Sequence, residues 1–439
     1  MYSSIRSRLL PAALTALGLL TQSVVESKMV FAHYMVGTVD PNTDHVKIDV
    51  DQAMNVGFDA FALNVGKPFE PWAISTVEQL FNYANGKNFK LFFSFDFYQE
   101  GDINAHKQLW QRFRDHPAHL RYDNKPVVSS YAGGWLSPDV WADFRRQNNV
   151  YLIPNVEQDG GYYSNPPNFF NVFRDAVDGV FTWETSWPPA SDLPLNVSSY
   201  DDERIKAAAD AAGKTYAMGL SPLQYKHCCG DTWYRAGETN MPERMTQILR
   251  VSPEFTEFIT WNDAGESHYI ANCWAEGLPN DILEYGNSDT NPHDGWQPLV
   301  ASFIDAFKSG TRDAGAMRPR GSEFAGAMWY RSVTKACGGD VPRGAGAAVD
   351  SVNYAVVLPA GSSGMRVRVI SGGRVLAEQP VSPGLNYNSV AGMGLGAQKI
   401  ELLNAGGAVV ATANSNLDVT DRPNQYGFCD YNYRVAGLR

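Results

Sequence analysis

Several features that mark other classes of protein are absent from this sequence of 439 residues. It has no cluster of Lys and Arg, and its formal net charge of −11 disfavours binding to nucleic acid or an anionic membrane. It has no HExxH, G-x-S-x-G, GxGxxG or GxxxxGK[ST] motif, which removes the usual signatures of zinc proteases, serine hydrolases and nucleotide-binding proteins. Its eight His are scattered, with no pair at ligand spacing, so we expect no metal and no cofactor.

Long apolar segments are also lacking, apart from a short run near the N-terminus. Arg6 and Arg8 precede the apolar run 9–20, which is well short of the ~20 residues that cross a bilayer. A positive start, a short apolar run and a patch of small and polar residues are typical of a secretory signal peptide. We therefore predict a signal peptide at residues 1–28 and a secreted protein, extracellular or in the cell wall. The sequon at Asn196 is then a candidate glycosylation site.

Cysteine is scarce, and its positions are Cys228, Cys229, Cys273, Cys337 and Cys429. Secretion favours disulfides, but an odd number leaves one thiol over or paired elsewhere. Cys337 and Cys429 bracket the C-terminal region, so we predict that they pair. A bond from Cys273 to Cys228 or Cys229 is the next expectation.

Aromatic residues, in contrast, are plentiful, at 12% of the chain with 11 Trp and 21 Tyr. Flat aromatic rings stack on the apolar faces of sugars, so the composition leans towards a neutral carbohydrate partner. The alternative is that these rings only fill the core.

Eight short apolar runs alternate with amphipathic stretches over the first 310 residues. Each run has strand length and is rich in β-branched or aromatic residues, whereas the stretches between them resemble helices. Strands that alternate with helices predict a parallel sheet, and eight repeats predict a closed (β/α)8 TIM barrel at residues 29–310. The runs are 29–37, 58–65, 89–98, 126–133, 150–157, 179–184, 215–221 and 255–263.

The sequence changes character near residue 310. After a Gly- and Arg-containing linker, short runs of alternating apolar and polar residues are separated by Gly, Pro and Asn. Helical periodicity is missing there, which predicts a C-terminal antiparallel β-sandwich at residues 325–439. This accessory domain either binds the substrate or braces the barrel, and its lack of paired exposed aromatics favours bracing.

Polar and aromatic side chains collect at the C-terminal ends of the eight runs, where barrel enzymes place their active sites. A core at this position would leave polar groups unsatisfied, whereas a polar substrate cleft would use them. For His33, the alternative is a hydrogen-bonded histidine inside the barrel. The predicted substrate-binding residues are His33, Asn64, Tyr131, Asn155, Trp183, Trp261, Asn262 and His268.

Three carboxylates are predicted to face the same mouth of the barrel. Asp96 ends the third run, and Asp263 and Glu266 lie in the stretch TWNDAGES at the end of the eighth. Glycoside hydrolysis needs two carboxyl groups, one a protonated acid and the other a base or nucleophile. The alternatives are a helix-capping box for the last two and, for Asp96, a carboxylate satisfied by strand N–H groups. Glu157 and Glu184 are rival acids, but their loop-like, aromatic surroundings favour lining subsites or packing the rim.

The stretches that carry these residues resemble glycoside hydrolase family 71, the fungal α-1,3-glucanases or mutanases. The similar stretches are VFAHYMVG, GFDAFALNVG, LFFSFDF, LSPLQYKH and, above all, FITWNDAGESHYI. The resemblance implies a barrel with a β-sandwich, and a secreted enzyme that hydrolyses α-1,3-glucan of fungal walls, or bacterial mutan, with inversion. It also implies that Asp96, Asp263 and Glu266 form the catalytic set. The segment KHCCGDTWYRAGE departs from the family pattern.

For the mechanism, we predict Glu266 as the general acid and Asp263 as the base that activates water. Asp96 would orient the water or stabilise the oxocarbenium-like state, and like-charge neighbours would raise one pKa and keep the acid protonated. An inverting pair lies ~6.5–9.5 Å apart, so Asp96 becomes the candidate base if the other two are closer. Two other functions stay open: a non-catalytic α-glucan-binding wall protein, and a barrel glycosidase acting on an α-mannoside. We expect a monomer.

Overall fold

A computed structural model describes residues 28–439, so the predicted signal peptide lies outside the described residues except for its last position. The described chain forms a parallel barrel followed by two antiparallel sheets, which confirms the predicted fold class. None of its helices combines the length and the apolar character needed to cross a membrane.

Eight parallel strands form the barrel, and each one falls on an apolar run of the sequence. Neighbours in the chain pair in parallel from β1 to β5 and from β6 to β8, and β8 pairs with β1. A parallel bridge between Asn155 and Phe181 joins β5 to β6 and closes the ring. The strands are β1 (Met29–Met35), β2 (Ala60–Val65), β3 (Lys90–Asp96), β4 (Lys125–Tyr131), β5 (Tyr151–Pro154), β6 (Gly179–Thr182), β7 (Thr215–Leu220) and β8 (Phe255–Phe258).

The helices follow local sequence signals. The first ends at Gly57, whose positive φ of 108° lets its N–H bond back to the carbonyls of the last turn. The second starts with Pro71 and buries Val77, Leu80 and Phe81, which share one helical face. The helices are α1 (His45–Val56), α2 (Pro71–Ala84), α3 (Ile103–Phe113), α4 (Pro138–Asn148), α5 (Gly161–Ser164), α6 (Pro166–Val172), α7 (Tyr200–Ala211), α8 (Asn240–Val251), α9 (Asn280–Leu283) and α10 (Gln297–Lys308).

Two four-stranded antiparallel sheets form the C-terminal sandwich, in the orders β13-β10-β9-β16 and β12-β11-β14-β15. Along β11, buried and half-exposed residues alternate, as expected for a strand with one face on a core. The strands are β9 (Ala325–Arg331), β10 (Ser351–Leu358), β11 (Met365–Ser371), β12 (Arg374–Val381), β13 (Gly384–Ala391), β14 (Gln398–Leu403), β15 (Val409–Asn414) and β16 (Tyr433–Gly437).

Of the two predicted disulfides, the structure contains the Cys337–Cys429 bond but not a bond from Cys273 to Cys228 or Cys229. Cys337 and Cys429 form a disulfide beside the sandwich. Cys273 is buried and free, and Cys228 and Cys229 are free as well, so the expected bond between Cys273 and one of them is wrong. The two neighbouring cysteines lie instead at the tip of an antiparallel ribbon (strands Gln224–Cys228 and Asp231–Arg235) that follows β7.

The sandwich packs directly against the barrel. The Tyr433 hydroxyl is 3.0 Å from the hydroxyl of Tyr234, which lies on the ribbon after β7. The indole of Trp329 in β9 donates a hydrogen bond to the carbonyl of Glu238 at 3.0 Å. These buried contacts fix the sandwich against the ribbon and the segment that follows it.

Candidate active site

A cleft of about 770 Å³ opens at the C-terminal ends of the barrel strands. Residues from β2, β3, β4 and the loops after β6 and β8 meet there because these strands are parallel and all end at the same mouth. Six residues predicted from the sequence line this cleft: Asn64, Asp96, Tyr131, Trp183, Asp263 and Glu266.

Asp96 is the last residue of β3 and is paired in register with Tyr131 at the end of β4. Its Oδ1 accepts a hydrogen bond from the backbone N–H of Tyr98 at 3.0 Å, from the turn after the strand. Burial raises the pKa of Asp96, and the Tyr98 bond and the nearby His33 offset part of this rise. A carboxyl with a raised pKa at the end of a barrel strand is well placed for proton chemistry.

Asp263 and Glu266 lie in a turn after β8, and the next helical turn begins only at Ala275. The capping-box alternative therefore does not apply, although the N–H of Glu266 does donate to Oδ1 of Asp263 at 3.1 Å. The N–H of Asp263 donates to the hydroxyl of Thr260 at 2.8 Å. These short-range bonds fold the turn so that both carboxyl groups face the cleft.

His268 connects the two carboxyl groups. Its imidazole is completely buried, and Nε2 lies 3.2 Å from Oε2 of Glu266 and 3.8 Å from Oδ2 of Asp263. Burial opposes a charge on the imidazole, but the two carboxylates outweigh it and raise the pKa of His268. The protonation of each of these three side chains therefore depends on the charge of the other two.

The pKa values of the two acids move in opposite directions. Burial raises the pKa of Asp263, and the charge of Glu266 adds to the rise while His268 opposes it. Burial would also raise the pKa of Glu266, but hydrogen bonds from His268 and Gln224 outweigh burial, so that this pKa is lowered. The sequence predicts that a neighbouring negative charge raises the pKa of one acid, and in the structure that acid is Asp263.

His33 lies inside the barrel beside the cleft rather than on its lining. Its Nδ1 is 2.7 Å from Oε1 of the equally buried Glu257. Its ring lies edge-on to Trp183, with 4.9 Å between the centroids. A proton on this imidazole would lower the pKa of both Asp96 and Asp263 through its charge.

Three more predicted substrate-binding residues, like His33 and His268, do not line the cleft. Asn155 is buried and bonds through its side chain to the carboxylate of Glu157. Trp261 is fully buried in the core. Asn262 accepts a hydrogen bond from the N–H of Met35 at 2.8 Å and so ties the turn after β8 to the end of β1. All three are buried at the ends of the barrel strands and pack beneath the residues that line the cleft.

The two rival acids have separate positions. Glu157 is half-buried and accepts hydrogen bonds from the backbone N–H groups of Trp183 and Glu184. Burial raises its pKa to about 7, and the bonds that it accepts limit the rise. Glu184 lines the cleft, and its carboxylate pairs with Arg235 at 2.9 Å. Glu157 thus holds the loop that carries Trp183 and Glu184.

The ribbon after β7 supplies cleft residues that the sequence analysis missed. Gln224 donates a hydrogen bond to Oε2 of Glu266 at 2.5 Å, and the ammonium of Lys226 lies 4.6 Å from the ring centroid of Trp233. The sequence contains a signal for this hairpin, because two short runs flank Cys229 and a glycine. In the structure both turn residues adopt positive φ, as a two-residue hairpin requires. Arg343 and Gly344, from the segment before β10, complete this wall and had no local signal.

A group of possible metal ligands lies at the tip of the ribbon. Ligand atoms of Cys228, Cys229 and Asp281 fall within 4.8 Å of one another. None of these three residues lines the cleft. The chemistry of the cleft is therefore best explained from its carboxyl groups.

The comparisons with known proteins agree with this geometry. Residues 26–439 match the family described as Glycosyl hydrolase family 71. The Mutanase Pc12g07500 of Penicillium rubens is 31% identical over 98% of this chain and 94% of its own. The Glucan endo-1,3-alpha-glucosidase agn1 of Schizosaccharomyces pombe is 30% identical over 74% of each chain.

Among solved structures, the GH99 endo-alpha-mannosidase from Bacteroides thetaiotaomicron has a similar fold. It superposes with a TM-score of 0.51 over 64% of this chain and 98% of its own. The sequences are 12% identical, so the likeness concerns the fold alone.

Proposed function

The chain belongs to glycosyl hydrolase family 71, as its motifs predict, and we propose that its cleft hydrolyses the α-1,3-glucosidic bonds of α-1,3-glucan. Two relatives whose names state this activity or that of a mutanase align with most of the chain. The observation that carries the proposal is that Asp96, Asp263 and Glu266 line one cleft, with His268 against two of them. Two carboxyl groups on either side of a glycosidic bond are what this hydrolysis needs.

Glu266 is the general acid in this proposal. Its own pKa is lowered, but the adjacent His268 has a raised pKa and holds a proton on Nε2 at mildly acidic pH. When the bond to the leaving sugar breaks, His268 passes its Nε2 proton to the Glu266 carboxylate, and the Glu266 carboxyl delivers a proton to the leaving oxygen, which leaves His268 neutral and Glu266 ionised. The pair then works as a single acid.

Asp263 is the proposed base that activates water, and Asp96 takes this role instead if the carboxyl groups of Asp263 and Glu266, which both approach His268, lie closer than the ~6.5–9.5 Å of an inverting pair. Burial raises its pKa, and a carboxylate with a raised pKa is a stronger base once it has lost its proton. Asp96, on the other side of the mouth, orients the water or stabilises the positive charge that develops on the sugar ring. Attack by water from the face opposite the leaving group would invert the anomeric carbon.

Two further features support an extracellular enzyme, which we propose acts as a monomer. The disulfide between Cys337 and Cys429 fits an oxidising compartment, and Asn196 is exposed for glycosylation. We place its action outside the cell or in the cell wall. The barrel at 29–310 is proposed as the catalytic domain and the sandwich at 325–439 as the accessory domain.

Replacement of Glu266 by Gln tests the proposal. We expect hydrolysis of α-1,3-glucan, measured as reducing ends, to fall by about 10²–10⁴-fold because the amide cannot donate the proton. Binding of the polymer, measured by co-sedimentation, should survive. Glu184→Gln, a carboxylate in the same cleft that is paired with Arg235, is the matched control and should keep most activity. Full activity of the Glu266 variant would refute the acid role.

Two further measurements separate this function from its alternatives. A wild-type enzyme that binds α-1,3-glucan without releasing sugars would be a binding protein, and one that prefers an α-mannan would be a mannosidase. Nuclear magnetic resonance of the first products distinguishes the stereochemistry: inversion gives the β-anomer first, whereas an initial α-anomer would contradict it.

A further inference from the structure

Three consecutive loops at the barrel mouth carry exposed aromatic side chains. Phe69 follows β2, Tyr98 follows β3 and Trp135 follows β4, and they are 57%, 68% and 59% exposed. Single exposed apolar residues are common on protein surfaces, but a row along one rim of a cleft indicates a binding surface. None of the three belongs to the catalytic group or to the substrate contacts predicted from the sequence.

Tyr98 and Trp135 lie next to each other on this rim. Their ring centroids are 6.2 Å apart and their planes are inclined by 32°. The rings therefore touch without covering each other, which agrees with the large exposed fraction of both. Each ring keeps a broad apolar face open to solvent.

The loop that carries Trp135 is fixed before any ligand arrives. A side chain at Gly134 would lie 2.6 Å from the carbonyl oxygen of Val156, so only glycine permits this close backbone approach. The indole N–H of Trp141 donates to the carbonyl of Gly133 at 2.9 Å. An exposed Trp on a fixed loop loses little conformational entropy on binding, which suits it to stacking on the apolar C–H face of a neutral ligand such as a sugar.

This pair is continuous with the catalytic cleft. Tyr98 lines the cleft, and its backbone N–H is bonded to Oδ1 of Asp96. From the proposed function, on which this step rests, we infer that Tyr98 and Trp135 form a distal subsite where a glucosyl unit of the polymer stacks, beyond the units at the cleaved bond. Sugar rings present apolar C–H faces to aromatic rings, so the subsite is matched to a neutral glucan chain.

A distal subsite affects long substrates more than short ones. An α-1,3-glucan chain long enough to reach Trp135 gains the stacking contact, whereas a short oligosaccharide held only at the carboxylates does not. Because Trp135 does not line the catalytic cleft, we expect its contact to stabilise the bound substrate and the transition state equally. Its loss should therefore raise KM for the polymer and leave kcat unchanged.

Trp135→Ala tests this subsite. We expect KM for solubilised α-1,3-glucan to rise roughly 5–10-fold. The kinetic constants for the shortest hydrolysed α-1,3-gluco-oligosaccharide should stay at wild-type values, and Trp135→Phe should restore most of the loss. Tyr200→Ala is the matched control, since Tyr200 is 66% exposed on α7 and does not line the cleft.

Two results would overturn the subsite: an unchanged KM for the polymer, or an equal loss on polymer and oligosaccharide. A second measurement avoids turnover, by comparing co-sedimentation with insoluble α-1,3-glucan for Glu266→Gln alone and combined with Trp135→Ala. The combined variant should bind less polymer, and equal binding would count against the subsite. Failure of the proposed function would look different, because the wild type itself would not cleave α-1,3-glucan.

Discussion

At the scale of single residues, His268 decides how the two acids of the turn after β8 are charged. Its imidazole has no exposed surface and approaches both carboxyl groups. It lowers the pKa of Glu266 and opposes the rise at Asp263, while its own pKa is raised by both. In the proposed mechanism this histidine is a positioning residue and proton reserve for the acid.

We predict that His268→Gln moves the alkaline limb of the kcat/KM profile to lower pH. In the wild type the donated proton is held by a histidine with a raised pKa, whereas in the variant the Glu266 carboxyl must hold it alone. Carboxyl pKa values normally lie below that of histidine, so the acid is lost at lower pH. We expect kcat at neutral pH to fall by about 10–100-fold.

The control for this prediction is His116→Gln. His116 is half-buried near Lys90, at the start of β3 and away from the cleft, so its replacement should leave the profile unchanged. A wild-type profile in the His268 variant would show that the imidazole holds no catalytic proton. Normal circular dichroism of both variants would show that the fold is intact.

At the scale of elements, Arg244 joins two helices to the barrel. From α8, its guanidinium forms two hydrogen bonds to the carboxylate of Asp202 in α7, at 2.6 and 2.8 Å. Its Nε donates to the carbonyl of Gly219 in β7 at 2.9 Å. Both charged side chains are completely buried, so removal of one partner leaves the other charge without compensation.

We therefore predict that Arg244→Ala lowers the free energy of unfolding by about 3–5 kcal/mol. Arg250→Ala is a close control, because Arg250 pairs with Glu203 across the same two helices but is 62% exposed. Exposed ion pairs contribute less than about 1 kcal/mol, so this variant should unfold near the wild type. Urea unfolding followed by circular dichroism gives both values, and similar losses in the two variants would contradict the role of burial.

At the scale of the whole molecule, the sandwich does more than cover one side of the barrel. The segment before β10 brings Arg343 to the cleft, where its guanidinium pairs with Asp231 of the ribbon at 3.0 Å. The disulfide between Cys337 and Cys429 closes a loop of chain with a sequence separation of 92. The sandwich region thus contributes residues to one wall of the catalytic cleft and contacts the ribbon there.

We predict three free thiols per chain in the unfolded, unreduced protein, measured with a thiol reagent. In the folded protein Cys229, which is exposed, should react first, because Cys228 and Cys273 are buried. Cys337→Ser should lower the free energy of unfolding by about 2–5 kcal/mol, since the loop closed by the bond with Cys429 is long. A count of one thiol would reveal a second disulfide and contradict the free cysteines.

The sequence by itself determined the strands, the order of the fold and the positions of the three acids. Strand and helix patterns depend on near neighbours in the chain, so eight apolar runs were enough to predict eight barrel strands and a polar mouth at their ends. The barrel rule then placed Asp96, Asp263 and Glu266 at that mouth. The stretch FITWNDAGESHYI, which contains Asp263 and Glu266, carried the resemblance to glycoside hydrolase family 71.

Only the tertiary structure decided which side chains meet and how they are charged. Gln224 bonds to Glu266 across 42 residues, and His33 bonds to Glu257 across 224. No pattern of near neighbours contains such contacts, because they follow from how the closed barrel arranges its strand ends. Burial and long-range partners also set the pKa values, which is why Asp263, and not the predicted acid Glu266, has the raised pKa.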